Sequence, residues 1–408
     1  MKCRHCGAAV SLPFIDLGYA PVSNALLSEQ DLQVAETRYP LRVLVCTLCW
    51  LVQTEDFIPG VELFAANYPY FSSFSTTWLQ HAEHYVAAVV ERFRLDEKSL
   101  VVEVASNDGY LLQFVKSRGI PCLGIEPTAG TARVASARGI EVVEEFFGTA
   151  LARRLADAGI SADLMIANNV LAHVPDINDF VAGFACLLKP QGVATFEFPH
   201  LLQQVRYNQF DTVYHEHFSY LSLMSVRRIL AGNGLAVFDV EELDTHGGSL
   251  RVYAQRSGTG ERKTEMRVDV VASNEIEAGI ATENFYANFQ AGANRVRDDF
   301  LAFLREAKSA GKTVAAYGAA AKGNTLINYA GIGPELIRFV ADRNPAKQGK
   351  YMPGSHIPIV DERRLQRDRP DYVVVLPWNL KAEIIPQLSY VRAWGGKMVT
   401  AIPRLEVA

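Results

Sequence analysis

The chain has 408 residues, too many for one ordinary domain and enough for two to four, each with its own core. Apolar residues make up 49% and charged residues 21%, the balance of a water-soluble globular protein; 45 acidic against 40 basic side chains leave a net charge of -5. That excludes an overall field for gathering nucleic acid or anionic membrane, so an anionic ligand must meet a local basic pocket. No apolar run is long enough to span a bilayer and MKCRHCG lacks a signal-peptide core, which predicts a cytoplasmic protein.

Cys3, Cys6, Cys46 and Cys49 form two CxxC turns, CRHCG and CTLCW. In a reducing compartment such pairs read as four thiolate ligands of a tetrahedral structural zinc rather than as disulfides. Four protein ligands leave no open position, so the metal should brace a small module, residues 1–66, and take no part in chemistry. His5, between two cysteines, reads as a solvated turn residue.

Next comes NYPYFSSFS, 67–75, ahead of a predicted helix over 77–93. It is either a capping segment with core aromatics or a lid whose Tyr68 and Tyr70 close over a ligand. VVEVASNDGYLLQF then reads as strand, turn and helix of a Rossmann-like unit, with Gly109 letting a ligand approach the backbone. It lacks GxGxxG, which disfavours a dinucleotide. A second strand, 122–125, ends in Glu126, where a carboxylate can accept bonds from ribose hydroxyls. Further strands over 141–146, 164–168 and 193–198 alternate with helices, predicting a parallel sheet covered on both faces.

The densest chemistry lies in DTVYHEHFSYL, Asp211 to Leu221, with two histidines, a glutamate and two tyrosines in eleven residues. It follows the buried strand GVATFEFP and should occupy a loop at a sheet edge. His215 and His217 are two apart and could face one metal, but no third ligand is evident. Strands at 235–243 and 249–255, separated by DTHGG, predict an antiparallel edge; His246 near the sheet's functional end is either a substrate contact or, the preferred reading, a turn residue. Residues 67–285 would form this central domain.

From 286 onward a helix leads to a second strand, turn and helix, TVAAYGAAAKGNTLINYA, and to strands at 337–341, 372–376 and 397–402. This predicts a smaller Rossmann-like domain over 286–408. Lys322 and Asn324 at the helix start, with Arg343, Lys347, Lys350 and His356 in DRNPAKQGKYMPGSHIP, would make a diphosphate pocket.

Glu103, Asn107, Asp108 and Gly109, then Glu126 and Pro127, then ADLMIANNVLAHVPD, resemble the successive motifs of class I S-adenosylmethionine-dependent methyltransferases. Together with the CxxC pairs and YHEH, the whole chain resembles the three-domain sugar C-methyltransferases that act on nucleotide-linked 4-keto-6-deoxy sugars in deoxysugar biosynthesis. The resemblance implies S-adenosylmethionine bound by Glu103, the amides of Asn107 to Gly109, Glu126, Pro127, Asn168 and Asn169. It places the base on His217, with Tyr214 and Glu216 beside the sugar, and the lid tyrosine on Tyr68; Tyr70, from the lid reading, and His173, which reads either as a buried core histidine or as a substrate contact, are further candidates. The resemblance also implies that the last domain helps hold the nucleotide sugar. The modest charge and three self-contained domains permit a monomer. An O- or N-methyltransferase on another anionic small molecule, or a non-catalytic nucleotide-sugar binding protein, are the alternatives.

Overall fold

The computed structural model describes residues 1–63 and 71–408, so the predicted lid residues Tyr68 and Tyr70 lie outside the described residues. Three sheets organise the described residues. The central one has seven strands. β4 (Val101–Val104), β5 (Cys122–Ile125), β6 (Glu141–Val143), β7 (Ala162–Asn168) and β8 (Leu188–Pro199) are parallel, in the order β6-β5-β4-β7-β8. β7 and the second half of β8 are nearly continuous apolar runs because helices cover both faces of the sheet.

The expected antiparallel edge takes a different form. β11 (Ser249–Arg256) inserts between β8 and β10 (Leu235–Leu243), antiparallel to both, so β10 at the edge runs with the other strands. β8 is therefore an interior strand, and YHEH leaves its C-terminal end rather than a sheet edge.

The first sheet joins β1 (Leu12–Ala20), β2 (Tyr39–Val45), β3 (Val52–Thr54) and β9 (Ser219–Tyr220). Its fourth strand is thus supplied by the end of DTVYHEHFSYL, with Gln53 opposite Ser219 and Val52 opposite Tyr220. The third sheet has β12 (Val314–Tyr317) at its centre, parallel to β13 (Val340–Ala341) and β15 (Tyr372–Val375). β14 (Ile359–Val360) and β16 (Lys397–Thr400) flank these in parallel, and β17 (Glu406–Val407) closes the edge antiparallel.

The expectation of self-contained domains does not survive the packing. Phe14, Leu17, Leu41 and Val43 of the first sheet share one core with Phe289, Val296 and Phe300 of the helix Phe289–Ser309 and with Val314 and Val374 of the third sheet. Phe14 stacks on Phe289 at 4.3 Å. Cys3, Cys46, Cys49 and Leu51 are buried instead in the core of the central sheet's helices. β1 and β2 bury part of their residues, and nothing in the two strands records the partner that covers them.

Candidate active site

The C-terminal ends of β4, β5, β7 and β8, the YHEH loop and the third sheet enclose one cavity of about 650 Å³. One wall begins with the turn after β4, which wraps tightly: Ala105, Asn107 and Gly109 have φ of 56°, 51° and 77°. Glu126 closes on this turn, accepting from the Asn107 amide at 2.9 Å and from the Thr128 amide at 3.0 Å, and also from the Thr128 hydroxyl. Asn107, Glu126, Pro127, Asn168, Asn169 and His173 line the cavity. Asn168 Oδ1 and both amide atoms of Asn169 are buried without a hydrogen-bond partner among the described residues. Such atoms cost about 1–3 kcal/mol each unless a ligand satisfies them; the polar end of a cofactor fits that need.

Three of the predicted cofactor residues stand behind the wall instead. A Cβ on Gly109 would fall 2.5 Å from Ile140 and 3.2 Å from Ala135, so this glycine admits the neighbouring helix Ala129–Ala137 rather than a ligand. Asp108 faces Arg138 at 3.7 Å and the Ser73 amide at 3.4 Å. Glu103 is buried in β4, and burial pushes its pKa up from the usual carboxylate value.

The opposite wall carries the loop chemistry. His217 Nδ1 lies 2.7 Å from the Thr212 carbonyl, which only accepts, so Nδ1 holds the proton and Nε2 presents its lone pair. The Tyr214 hydroxyl donates to that Nε2 at 2.8 Å. Burial and the neighbouring His173 ring, 4.5 Å away, lower the His217 pKa well below its ordinary value, so it is neutral at pH 7. His173 Nδ1 donates to the Glu216 carbonyl at 2.8 Å, and burial lowers its pKa to about 4. Glu216 accepts from Asn24 of the first module at 2.6 Å.

The loop is held from two sides. Its first half meets the third sheet: Trp378 Nε1 donates to Asp211 at 2.6 Å, and the Thr325 hydroxyl to the Val213 carbonyl at 2.9 Å. Its second half meets the first module. Thr54 donates through its hydroxyl to the His217 carbonyl at 2.6 Å and through its amide to the Phe218 carbonyl at 3.1 Å. Arg4, between Cys3 and Cys6, donates to the Thr54 carbonyl at 3.0 Å and lies over the Phe218 ring. His215 packs against Tyr39 and bonds the Pro40 carbonyl at 3.2 Å, a scaffolding position.

The four cysteine sulfurs lie within 4.8 Å of one another, with Cys3–Cys49 and Cys6–Cys46 at 3.5 Å. Tetrahedral zinc with bonds near 2.3 Å separates its sulfurs by about 3.8 Å, so the cluster fits that ion. His5 is turned from the sulfurs and bonds Asn178 at 2.9 Å, an interface residue rather than a solvated one.

Of the basic residues predicted to bind phosphate, Lys322 and Lys347 line the cavity. Lys322 lies over the Trp378 ring with Nζ 3.4 Å from Asn379 Oδ1. Burial lowers its pKa while Asp211 opposes that, and burial raises the Asp211 carboxyl to about 6. Arg343, Lys350 and His356 are not in the cavity wall. Arg343 pairs with Glu362 on the surface, and the 343–358 loop runs back to the first module, where Tyr351 bridges Leu27 and His356 reaches Glu36. Asn324 is buried one turn into the helix Ala321–Tyr329 and does not line the cavity. The charge pattern of that loop could not say which face it presents. Trp78, Tyr110, Asn24 and Phe146 also line the cavity; Trp78 sits in a helix capped by Ser75, and nothing in a capped amphipathic helix marks its cavity side.

Three family models cover the chain: "Putative zinc binding domain" over residues 3–64, "Methyltransferase domain" over 78–240 and "C-methyltransferase C-terminal domain" over 244–403. C-methyltransferase NovU of Streptomyces niveus is 36% identical over 406 residues, covering 100% of this chain and 96% of the relative. The chain belongs to the C-methyltransferase family. This C-methyltransferase uses S-adenosylmethionine, and its four-cysteine module is a structural zinc site. Solved structures that it resembles include magnesium protoporphyrin IX methyltransferase of Synechocystis PCC 6803, at 18% identity and TM-score 0.34 over 44% of this chain and 79% of that one. An S-adenosylmethionine dependent methyltransferase of Mesorhizobium loti matches at 15% identity and TM-score 0.34, over 44% and 100%. No helix among the described residues is long and apolar enough to cross a membrane.

Proposed function

We propose that this C-methyltransferase methylates C-3 of a nucleotide-linked 4-keto-6-deoxy sugar through a base-generated enolate. Carbon becomes a nucleophile when an adjacent ketone lets its proton leave, which calls for a neutral base on the proton and a donor near the oxygen. The observation that carries this reading is His217. Thr212 fixes its tautomer, its Nε2 lone pair faces the hydroxyl of Tyr214, and both side chains line a cavity shared with the cofactor cradle. His217 takes the proton, and Tyr214 guards the lone pair until substrate arrives. Lys322 and Lys347, with the start of the helix Ala321–Tyr329, supply positive potential where a diphosphate would lie.

S-adenosylmethionine supplies an electrophilic methyl group when bound. Glu126, Asn107, Asn168 and Asn169 are the cavity residues that would hold it, with Glu126 on the ribose. Tyr68 and Tyr70 enter this proposal from sequence alone, as the lid. The test is turnover of a panel of nucleotide-linked 4-keto-6-deoxy sugars, with NMR of the product. A new methyl on the carbon next to the ketone is expected, and methylation of no member of the panel would overturn the substrate class.

A further inference from the structure

One imidazole in the cavity wall has no part in the chemistry above. His246 lies in the turn between β10 and β11 with φ 55°, ahead of Gly247 and Gly248 at 89° and 112°. A left-handed backbone costs a side-chain-bearing residue about 1–2 kcal/mol, and a third glycine would sit there freely. The turn is nevertheless clamped from several directions. The Thr245 hydroxyl donates to Glu197 at 3.1 Å, and Glu197 is itself paired with Arg251 and His81. Gln209 donates to the Gly247 carbonyl at 2.7 Å, and a Cβ on Gly247 would meet the Trp378 ring at 2.6 Å. The His246 ring lies tilted beside Trp78, with centroids 5.2 Å apart.

The cavity's other imidazoles are committed, since His173 and His217 each donate Nδ1–H to a backbone carbonyl. Neither ring nitrogen of His246 has a hydrogen-bond partner among the described residues, and the residue lines the cavity where Trp78, Lys322 and Asn379 also reach it. A rigid turn therefore holds an unpartnered imidazole, at some backbone cost, facing the space between the cofactor wall and the third sheet.

We infer that His246 is an acceptor-binding residue, whose imidazole hydrogen-bonds a hydroxyl or carbonyl oxygen of the molecule being methylated, on the side of the cavity bounded by Trp78 and Lys322. A neutral imidazole offers one donor and one acceptor, the complement of a sugar hydroxyl, which does both. The inference rests on the nucleotide-sugar reading above.

The test uses the full-length, zinc-loaded chain and two variants. His246→Asn keeps a residue that tolerates the left-handed backbone, and His246→Gly relieves the backbone while removing the ring. KM and kcat are measured with a nucleotide-linked 4-keto-6-deoxy sugar, cofactor affinity by calorimetry and Tm by scanning fluorimetry. In both variants kcat/KM for the sugar should fall by about tenfold or more, while cofactor affinity stays within about twofold and Tm is unchanged or, for His246→Gly, raised. Sugar kcat/KM within about twofold of wild type in His246→Gly, or an equal loss of cofactor affinity, would overturn it. If the wild-type chain itself methylates no such sugar, the functional reading fails and this inference fails with it, a result visible before any variant is made.

Discussion

The zinc module and the third sheet grip the same eleven-residue loop in different ways. The module holds the second half mostly at its backbone, with the hydroxyl and amide of Thr54 on the carbonyls of His217 and Phe218 and with the β3–β9 pairing just beyond, and adds one side-chain bond from Asn24 to Glu216. The third sheet holds the first half through side chains, Trp378 and Thr325, and then sends Lys322 past it into the cavity. Contacts on the loop's backbone fix where the proposed base sits and say little about ligand; a cation that continues into the cavity, as Lys322 does, can bind one. The module should therefore govern the rate of the chemical step, and the third sheet the affinity for the acceptor.

The hardest break is Cys46→Ser. Structural zinc contributes on the order of 10 kcal/mol to small modules, so losing a ligand should unfold the first sheet, release β9 and abolish turnover. Scanning fluorimetry and metal analysis would follow it; full activity without bound zinc would end the division of labour drawn here. Lys322→Met removes the cation on the other side. A charge-assisted bond is worth about 1.5–3 kcal/mol, so acceptor KM should rise about 10- to 100-fold with cofactor affinity intact, as read by steady-state kinetics and calorimetry. A change confined to kcat would invert the comparison.

Thr54→Val keeps the β3 backbone and deletes the hydroxyl on the His217 carbonyl. About 1 kcal/mol of stability should go, and kcat should fall while acceptor KM holds; Thr54→Ser should restore both. The smallest effect is one of pH. On the proposed mechanism His217 works as the neutral base, so protonation removes activity as pH falls through its folded pKa. Burial first, then His173, and also Lys322, lower that value. The acid limb of kcat/KM should therefore lie below about pH 6.5; a limb centred above about pH 7 would contradict it. Lys322→Met should move the limb up and Thr54→Val should leave it, which separates an electrostatic reach into the loop from a mechanical one.

Much of this was legible in the sequence, for identifiable reasons. Buried parallel strands such as LMIA in β7 are apolar at every position, ATFEF in β8 departs only at Thr195 and Glu197, and the CxxC pairs and YHEH carry their chemistry in consecutive residues. What was hidden depends on contacts distant in sequence. β9 is two residues long, too short for any periodicity, so nothing marked it as the fourth strand of a sheet begun some two hundred residues earlier. Gly109 was expected to face a ligand because a glycine after a strand suits that role equally well as it suits contact with a packed helix. Arg343 and His356 were grouped with Lys322 by proximity to strand ends, but only the three-dimensional course of the 343–358 loop, back to the first module, separates them.

The central claim is that His217 removes a proton from carbon. Its most direct test is hydrogen exchange at the carbon next to the ketone of a nucleotide-linked 4-keto-6-deoxy sugar in deuterated water, with S-adenosylhomocysteine in place of the methyl donor. Wild type should wash in deuterium, and His217→Ala should bind both ligands yet exchange about 10²- to 10⁴-fold more slowly. Exchange by His217→Ala at the wild-type rate would contradict the account.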